Sequence, residues 1–384
     1  MPDLRFPEFV GAWSEDDLGN LVEVTTGAKD TQDSVVTGKY PFFVRSQIVE
    51  RIDSFSYDGE AILTSGDGVG VGKNFHYIDG KFDFHQRVYC LRNFADGLLG
   101  KFLFFFFSEK FNRRVMRMSA KNSVDSVRRD MIVKMPIVFP SLSEQQKIAE
   151  FLSAVDARIG QYARKKELLL KYKKGVIKQI FNQKIRFKDN NGSNFPDWEE
   201  RKLGEIATFS KGAGISKEDT ALSGQYECIR YGELYTHYGE TIDQVVSRTN
   251  LGQSELYFSE ENDVIIPSSG ETNTDIARAA CVLRKGVALG GDLTVIRSKL
   301  NGVFLSYYLN SKKKYDIARL AQGVSVVHLY PAHLSKLKLE IPSPEEQQRI
   351  ADFLTLIDKK IELVNRTLEG TSVFRKGLLQ QMFV

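Results

Sequence analysis

Two segments of the chain place apolar residues at alternating spacings of four and three, which is the pattern of a helix with one apolar stripe. The stripe is formed by Ile148, Leu152, Val155 and Ile159 in the first segment and by Ile350, Leu354, Ile357 and Ile361 in the second. It continues for about five heptads, as in helices that pair through a coiled-coil seam. A helix of about 40 residues is about 60 Å long, and basic residues lie at and beside the seams, namely Lys165, Lys166 and Lys173 in the first copy and Arg375 in the second. We therefore predict that the two helices stabilise each other by pairing.

Each helical segment opens with Ser-x-x-Glu, the spacing of a capping box. The pairs are Ser141 with Glu144 and Ser343 with Glu346. In such a box the serine accepts a hydrogen bond from the third helical amide, and the glutamate bonds back to the amide of the serine. Pro344 suits the first helical position, where an N–H group has no partner in the helix. The helices are therefore predicted to begin at these serines.

The two helical segments are copies of one sequence. Residues 140–181 align with residues 342–383 without a gap, and 17 of the 42 positions are identical. Shorter matches precede them, since Trp13 and Leu18-Gly19 correspond to Trp198 and Leu203-Gly204. The middles of the two halves, residues 28–98 and 213–300, differ almost completely. The sequence therefore predicts a tandem duplication with a common frame and two different centres.

The globular half of each copy mixes β-rich runs with a shorter helix. The predicted strands are Val22–Thr26, Tyr40–Arg45, Ala61–Thr64 and Arg87–Leu91, then Ile206–Ser210, Val264–Ile266, Ala279–Leu283 and Leu293–Arg297. Helices are predicted near Lys101–Arg113 and Val303–Leu320. Each half is large enough for its own core. The predicted domains are residues 1–140, a long helix with connector at 141–187, residues 188–341, and a second long helix at 342–384.

Composition narrows the class of protein only slightly. The net charge is +4, but the segment from Arg164 to Lys188 contains ten Lys or Arg residues and a single acid, Glu167. This run is either a solvated helix face with a basic connector or a surface for nucleic acid. Cys90, Cys228 and Cys281 are scattered and predict buried thiols in a reducing cytoplasm. No apolar run is long enough to span a membrane, and the first residues lack the apolar core of a signal peptide.

A glycine-rich segment follows the predicted strand Ala61–Thr64. Its spacing fits neither GxGxxG nor a Walker A loop. It is either a flexible hairpin tip or a DNA-contacting loop. In the second case its backbone amides would approach the phosphates of DNA, and Lys73, Asn74 and His76 would enter a groove of the duplex. Gln86 and Arg87, beside His85, suit base edges, because Gln pairs with adenine and Arg with guanine. With Arg45, these are the candidate DNA-binding residues of the first half.

The second half offers a polar segment in the corresponding place. The candidate DNA-binding residues there are Arg230, Ser268, Ser269, Thr272, Asn273 and Arg278. Matched basic patches follow the shorter helix of each half, at Arg113, Arg114, Arg117 and Lys121 and at Lys312 to Lys314 with Arg319. These patches predict either phosphate contacts or solvated helix ends.

Signatures of catalysis are not found in the sequence. The five histidines show no metal-ligand spacing, and neither GxSxG nor the Asn/Asp-Pro-Pro-aromatic loop of amino-methyltransferases is present. We therefore predict a protein that is not itself an enzyme and that binds no metal. A self-contained methyltransferase or nuclease is the rival that this observation disfavours.

Two divergent globular modules alternate with two helices that begin Pro-x-x-x-Glu-Gln-Gln-(Lys/Arg)-Ile-Ala-x-Phe-Leu. This layout resembles the specificity subunits of type I restriction–modification systems over nearly the whole chain. The openings Arg5-Phe-Pro-Glu-Phe and Phe195-Pro-Asp-Trp, and the Lys-Gly-x4-Phe helix ends, belong to the same resemblance. The first module is short for this family, which leaves its base contacts open.

The resemblance implies an α+β fold with two pseudo-repeated mixed α/β target-recognition domains separated by two long antiparallel coiled-coil helices. Each domain would bind one half of a bipartite asymmetric site in double-stranded DNA. The helices would fix the gap and bind two modification (methyltransferase) subunits, through which restriction (ATP-dependent translocase) subunits join the complex. S-adenosylmethionine and ATP would bind those partners, and this chain would need no cofactor.

Two further functions stay open at this point. One is a coiled-coil scaffold without DNA preference, and the other is a specificity-like subunit of another DNA-modifying defence system. If the paired helices act as a ruler, their length fixes the number of unread base pairs (the gap) between the two short base sequences (the words) of the site. One helical turn inserted after Ile159 should then change the gap and leave both words intact.

Overall fold

The structure, a computed structural model, describes residues 2–118, 126–221, 223–323 and 325–383. They divide into two compact units. Unit 1 comprises Met1–Arg164 and Asn365–Val384, and unit 2 comprises Lys165–Val364. Each unit therefore contains a globular half, the first part of one long helix and the last part of the other. Lys121, named above in a basic patch, lies outside the described residues.

The elements of the first half are short strands around one longer helix. The strands are β1 (Ser14–Asp17), β2 (Glu23–Thr26), β3 (Tyr40–Phe43), β4 (Glu50–Ile52), β5 (Tyr57–Ser65), β6 (Phe75–Phe84), β7 (Val88–Arg92) and β8 (Pro136–Phe139). The helices are α1 (Leu18–Leu21), α2 (Gly100–Met118), α3 (Arg129–Val133) and the first long helix α4 (Leu142–Phe181).

The main sheet of unit 1 has the strand order β2-β7-β5-β6-β3-β4, and β1 pairs separately with β8. Apolar residues of β5 and β7 are buried in one cluster with five phenylalanines of α2. Phe102 and Phe106 of α2 also pack edge-on against Phe383 near the chain end. The end of the second long helix is thus part of the core of unit 1.

The second half has more and shorter strands. They are β9 (Glu199–Lys202), β10 (Ala207–Lys211), β11 (Thr220–Ala221), β12 (Tyr226–Ile229), β13 (Thr241–Ile242), β14 (Ser247–Thr249), β15 (Asp263–Pro267), β16 (Ser269–Gly270), β17 (Ala280–Val282), β18 (Ala288–Leu289), β19 (Leu293–Ser298), β20 (Val327–His328) and β21 (Lys338–Ile341). The helices are α5 (Leu203–Ile206), α6 (Glu233–Thr236), α7 (Gly302–Asn310), α8 (Lys314–Leu320), α9 (Pro331–Leu334) and the second long helix α10 (Pro344–Met382).

Two sheets organise unit 2. One has the order β10-β19-β15-β17-β13 and the other the order β11-β14-β12-β18. Helix α7 covers the first sheet, and its Phe304 and Tyr308 stack in parallel. Phe181, at the end of α4, packs against both of these rings. The end of the first long helix is therefore part of the core of unit 2.

The long helices pair in each unit through the predicted stripes. In unit 1, Ile148 and Leu152 of α4 are buried in one cluster with Leu378 and Met382 of α10. In unit 2, the repeat-equivalent residues Ile350, Leu354 and Ile357 of α10 are buried with Val176 and Ile180 of α4. Val155, Ile159 and Ile361 are less deeply buried. In both units the start of one helix packs on the end of the other, so the pairing is antiparallel.

The capping-box prediction was wrong for both glutamates. Ser343 Oγ does accept from Glu346 N at 3.3 Å, but the carboxylate of Glu346 is bound by Arg186. Glu144 is bound in the same way by Arg5. A carboxylate that pairs with a guanidinium forms stronger hydrogen bonds than one returning to a backbone amide, and the sequence spacing alone did not reveal the arginines.

Each predicted strand of the globular halves has an observed counterpart, but many short elements were not predicted, among them β1, β4, β8 and most strands of the second half. The glycine-rich segment of the first half leads directly into β6, a long strand that alternation of residue types did not indicate. The helix predicted over Val303–Leu320 is divided, because the chain leaves helical geometry between α7 and α8. None of the helices among the described residues combines the length and the apolar character that crossing a membrane requires.

Candidate nucleic-acid interface

An aspartate links two of the candidate arginines of unit 1. Arg45 lies just after β3 and Arg87 in the turn between β6 and β7, and Asp67 lies in the glycine-rich segment. Asp67 accepts from Arg87 at 2.6 Å and from Arg45 at 3.1 Å. Burial acts to raise the pKa of Asp67, but the two guanidinium groups outweigh it and hold that pKa below its ordinary value. Three segments distant in sequence thus meet at one carboxylate.

Asn74 and His76 hydrogen-bond the backbone of the segment that contains Arg45. The Asn74 amide donates to Arg45 O at 2.7 Å and to Ser65 Oγ at 3.3 Å. His76 Nε2 is 3.3 Å from Ser46 O, and burial lowers the pKa of this histidine. Both side chains therefore hold the β3 end against the glycine-rich segment, so their polar atoms are already engaged by protein.

The remaining candidates of unit 1 are more accessible. Gln86 is exposed and donates to Asp30 Oδ2 at 2.8 Å, whereas its neighbour His85 is buried. Lys73 is exposed in the turn before β6. Contacts with Asp67 and Asp30 therefore bring Arg45, Gln86 and Arg87 to one polar surface, while Lys73 lines a groove with Asn112 and Arg375.

In unit 2 the candidates belong to the loop 268–278, which follows the central strand β15. Ser268 is buried and hydrogen-bonds Thr294 at 2.8 Å, and Ser269 bonds Asp292. These two serines anchor the start of the loop. Thr272 donates to Asp275 at 2.6 Å, which closes a turn at the exposed tip.

Beyond the anchored serines, the loop 268–278 carries two further candidates. Asn273 is exposed at its tip. Arg278 is half-buried and donates to Tyr238 O at 2.8 Å. Arg230 follows β12, where it pairs with the buried Glu233 at 3.4 Å. Five of the six candidates of unit 2 therefore belong to one loop, and Arg230 belongs to a different segment, which accepts a hydrogen bond from Gly290 N at Ile229 O.

The Glu-Gln-Gln motif of each copy binds the segment that precedes the globular half. In unit 1, Arg5 donates to both carboxylate oxygens of Glu144 at 2.7 Å. In unit 2, Arg186 donates to Glu346 at 3.2 and 2.8 Å. The residue after each arginine is also equivalent. Phe6 packs edge-on against Phe151 of α4, and Phe187 packs in the same way against Phe353 of α10. The dipeptides Arg5-Phe6 and Arg186-Phe187 are therefore equivalent.

The first glutamine of the motif fixes the loop before α2 or α7. Gln145 accepts from Leu99 N at 2.8 Å and donates to Pro140 O at 2.8 Å. Gln347 accepts from Asn301 N at 2.9 Å and donates to Pro342 O at 2.9 Å. Both glutamines are buried, which explains why the motif recurs unchanged: each copy satisfies the same backbone groups.

An ion pair crosses the helix pair in each unit. Arg375 of α10 pairs with Asp156 of α4 in unit 1, with the longer of two contacts at 3.1 Å. In unit 2 the repeat-equivalent Lys173 of α4 lies 2.8 Å from Asp358 of α10 and also pairs with Glu240. The two pairs lie at the same repeat positions, so each fixes the register of one helix crossing.

Sequence reasoning missed these contacts. Arg5 and Arg186, which bind the buried glutamates, gave no signal beyond an Arg-Phe dipeptide in each half. Gln145 with Gln347 and Asp156 with Asp358 could have been found, because identical polar residues inside a repeat are unexpected on a solvated helix face.

The described residues hold no group of three or more His, Cys, Asp or Glu side chains arranged to bind a metal ion. The three cysteines are buried, as predicted. Burial raises the pKa of Cys90 and Cys281 to about 12 and that of Cys228 to about 11, so these thiols stay protonated near neutral pH.

Comparison with known proteins agrees with this geometry. The family model of the type I restriction modification DNA specificity domain matches residues 11–170 and again residues 196–370. The type I restriction enzyme MjaVIII specificity subunit of Methanocaldococcus jannaschii is 23% identical over 408 residues, which cover 99% of this chain and 93% of that protein. The type I restriction enzyme EcoDI specificity subunit of Escherichia coli is 27% identical over 193 residues, which cover 48% and 42%.

The fold is also shared with a solved structure. The S subunit of a type I restriction–modification system from M. genitalium superposes with a TM-score of 0.67 at 18% identity, over 100% of this chain and 99% of that one. The two family matches together span most of the sequence. The chain therefore belongs to the type I restriction–modification DNA specificity family and contains two copies of its domain.

Proposed function

We propose that this chain selects the DNA sequence for a type I restriction–modification complex, with each globular half reading one part of a bipartite asymmetric site. One observation carries the proposal: the frames of the two units match contact by contact, while their polar loops do not. The matched frame includes the pairs Arg5–Glu144 and Arg186–Glu346. A duplicated frame with different loops suits a protein that reads two different words.

The polar surface of each unit has the chemistry of base readout. Gln86 and Arg87 in unit 1 and Asn273 in unit 2 are exposed, and amide and guanidinium groups form bidentate hydrogen bonds with adenine and guanine. Residues such as Asn74 and Ser268, whose polar atoms are engaged within the protein, would shape the surface rather than touch bases.

The paired helices are proposed to act as a ruler and as the docking site for partners. Antiparallel pairing in each unit buries the predicted stripes, and a rigid helix pair is suited to hold two readers at a fixed separation. Because the helix crossing occurs twice with matched contacts, two modification subunits can bind in equivalent ways.

The chemistry would then belong to those partners. Modification subunits would carry S-adenosylmethionine, restriction subunits would carry ATP, and this chain would act in the cytoplasm without catalysis of its own. Extrusion of the target base, which methyl transfer requires, would be performed by the modification subunit.

Methylation mapping tests the proposal. A methylation-free host would express this chain with its modification subunit, and single-molecule sequencing would locate modified bases. We expect one bipartite motif that disappears when this chain is omitted. A stable complex without any motif would contradict the proposal and favour a coiled-coil scaffold.

Substitutions in one unit assign each half of the motif. Arg87→Ala is expected to weaken base discrimination in one half of the motif only, by about 1 to 3 kcal/mol. Asn273→Ala is expected to weaken it in the other half only. Lys285→Ala, which removes an exposed lysine paired with Glu260, serves as the control. A change in both words from either single substitution would contradict the assignment.

The ruler is tested by insertion. Because the start of each helix packs on the end of the other, one helical turn should be added to both, after Arg164 and after Arg366, midway between the ion-paired residues of each helix. One turn adds about 5.4 Å, less than two base-pair steps. We expect a changed gap with both words intact, whereas an unchanged gap would refute the ruler.

A further inference from the structure

A groove in unit 2 brings together two basic segments that are distant in sequence. It lies between the end of α4 and the helices α7 and α8, with a volume of about 730 Å³. Its lysines are Lys173, Lys174 and Lys178 from α4 and Lys312 and Lys314 from the α7–α8 region. We call it the lysine groove.

Most of this positive charge is uncompensated. Lys173 is balanced by Asp358 and by Glu240, the acid that lines the groove. Lys312 donates to a neutral amide, Asn182 Oδ1, at 2.9 Å. The other three lysines have no acidic partner among the described residues, so several ammonium groups share one concave surface. Such a surface attracts a polyanion.

The lysine groove continues towards the loop 268–278. A smaller adjoining cavity is lined by Thr274, Asp275 and Arg278 of that loop. Three residues line both cavities, namely Glu240, Asn310 and Lys314. The positive surface therefore adjoins the segment proposed to read bases in unit 2.

The repeat-equivalent groove of unit 1 has only part of this positive charge in common with the lysine groove. It is lined by Lys73, Glu109, Asn112 and Arg375, and Arg375 is paired with Asp156. Asn112 stands at the repeat position of Lys314, and Gln380 at that of Lys178. Lys173, Lys174 and Lys312 have basic counterparts in Arg375, Lys376 and Lys110, so the two groove lysines that distinguish unit 2 are Lys178 and Lys314. The common frame does not require a lysine at either of these two positions, which argues against a purely structural role for them.

We propose that the lysine groove binds the phosphodiester backbone of DNA beside the half-site read by unit 2, without regard to base sequence. This rests on the proposed function. Lysine ammonium groups on flexible stems suit phosphates, which present charge without a base identity. Continuity with the loop 268–278 favours DNA over an acidic protein segment, because a DNA backbone must pass beside any loop that reaches its bases.

Salt dependence of binding tests the groove. The full chain with its modification subunit would be titrated with a duplex carrying the motif and a duplex lacking it, over a range of salt. Each phosphate contact contributes about 0.9 to the slope of log K against log salt, equivalent to about eightfold in affinity at 0.1 M relative to 1 M salt. Replacement of Lys174, Lys178 and Lys314 by Gln should make the slope less steep, by up to about 3 for three lost phosphate contacts. We expect this change on both duplexes and no change in the methylated motif.

Two matched variants complete the test. Lys285, Lys336 and Lys338 are exposed in unit 2 outside the groove and outside the long helices, and their replacement by Gln should leave the slope near that of the wild type. Lys→Arg at the three groove positions keeps the charge and should restore the slope, which separates loss of contacts from misfolding.

Three results would overturn the proposal: an unchanged slope in the groove variant, an equal change in the control, or normal DNA binding with loss of the modification subunit, which would assign the groove to a protein partner. Failure of the proposed function would look different. The wild type would then bind both duplexes equally, while its salt slope and that of the groove variant could still be compared.

Discussion

Removing Arg186 should destabilise unit 2 strongly, because it leaves a carboxylate buried without its partner. The side chain of Glu346 is 1% exposed and that of Arg186 is 22% exposed. The guanidinium donates to Glu346 at 3.2 and 2.8 Å, and Trp198 Nε1 donates to it at 3.1 Å. In Arg186→Met the tryptophan contact remains, but the charge of Glu346 is no longer balanced.

The expected magnitude follows from the burial of Glu346. Breaking a buried ion pair by removing one partner costs about 3 to 5 kcal/mol. The free energy of unfolding falls by about 3 kcal/mol per M of urea at the upper end for small domains. With that slope, the urea concentration at the unfolding midpoint falls by about 1 to 1.7 M. Arg186→Met combined with Glu346→Gln should recover most of this loss, because no charge is left buried and the amide oxygen still accepts from Trp198.

Tryptophan fluorescence makes the measurement local. The sequence contains two tryptophans, so Trp13→Phe leaves Trp198 as the only reporter, in contact with Glu346 itself. The control is Lys338→Met, which breaks the pair with Glu200 at 2.8 Å. Both partners are exposed, so no measurable shift is expected. The reasoning is refuted if Arg186→Met unfolds at the parent midpoint, or if the double variant falls as far as the single one.

Three other perturbations have expected outcomes. Arg375→Asp should lower the melting temperature, and adding Asp156→Arg should restore it if this pair sets the helix register; no recovery would contradict that role. Burial lowers the pKa of His76 below its ordinary 6.5, so the unfolded chain binds the proton first and stability falls as pH drops through 6.5; His76→Gln should melt with a weaker pH dependence between pH 7.5 and 5. Asp67→Asn should raise affinity for non-motif DNA, because its two arginines lose their counter-charge; unchanged binding to both motif and non-motif duplexes would contradict this.

The frame of the molecule could be predicted from the sequence because it depends on periodicity. The stripe that includes Ile148 and Leu152 indicated a helix that needs a partner, and the gapless repeat indicated that the partner is the other copy. Both inferences use only residue spacing. Eight strands of the two globular halves were found for the same reason, as their apolar residues are concentrated in short runs, whereas short strands such as β1 and β11 contain no such run.

The polar contacts could not be predicted in this way. Arg186 and Glu346 are 160 positions apart, and nothing in either local sequence indicates that they meet. Local rules instead assigned Glu346 to a capping box, and the tertiary contact displaced that arrangement. The same limit applies to the loops, where exposed and buried candidates such as Asn273 and Ser268 have similar sequence surroundings but different environments.

Identity between the copies separates two kinds of residue. Gln145 and Gln347 are the same because each binds the same backbone groups of its own unit, and a change in either would leave buried donors and acceptors unpaired. Lys314 and Asn112 differ because both lie on open grooves, where the frame sets no requirement. Changes of DNA preference should therefore come from substitutions at positions of the second kind, without loss of the helix pairing on which assembly depends.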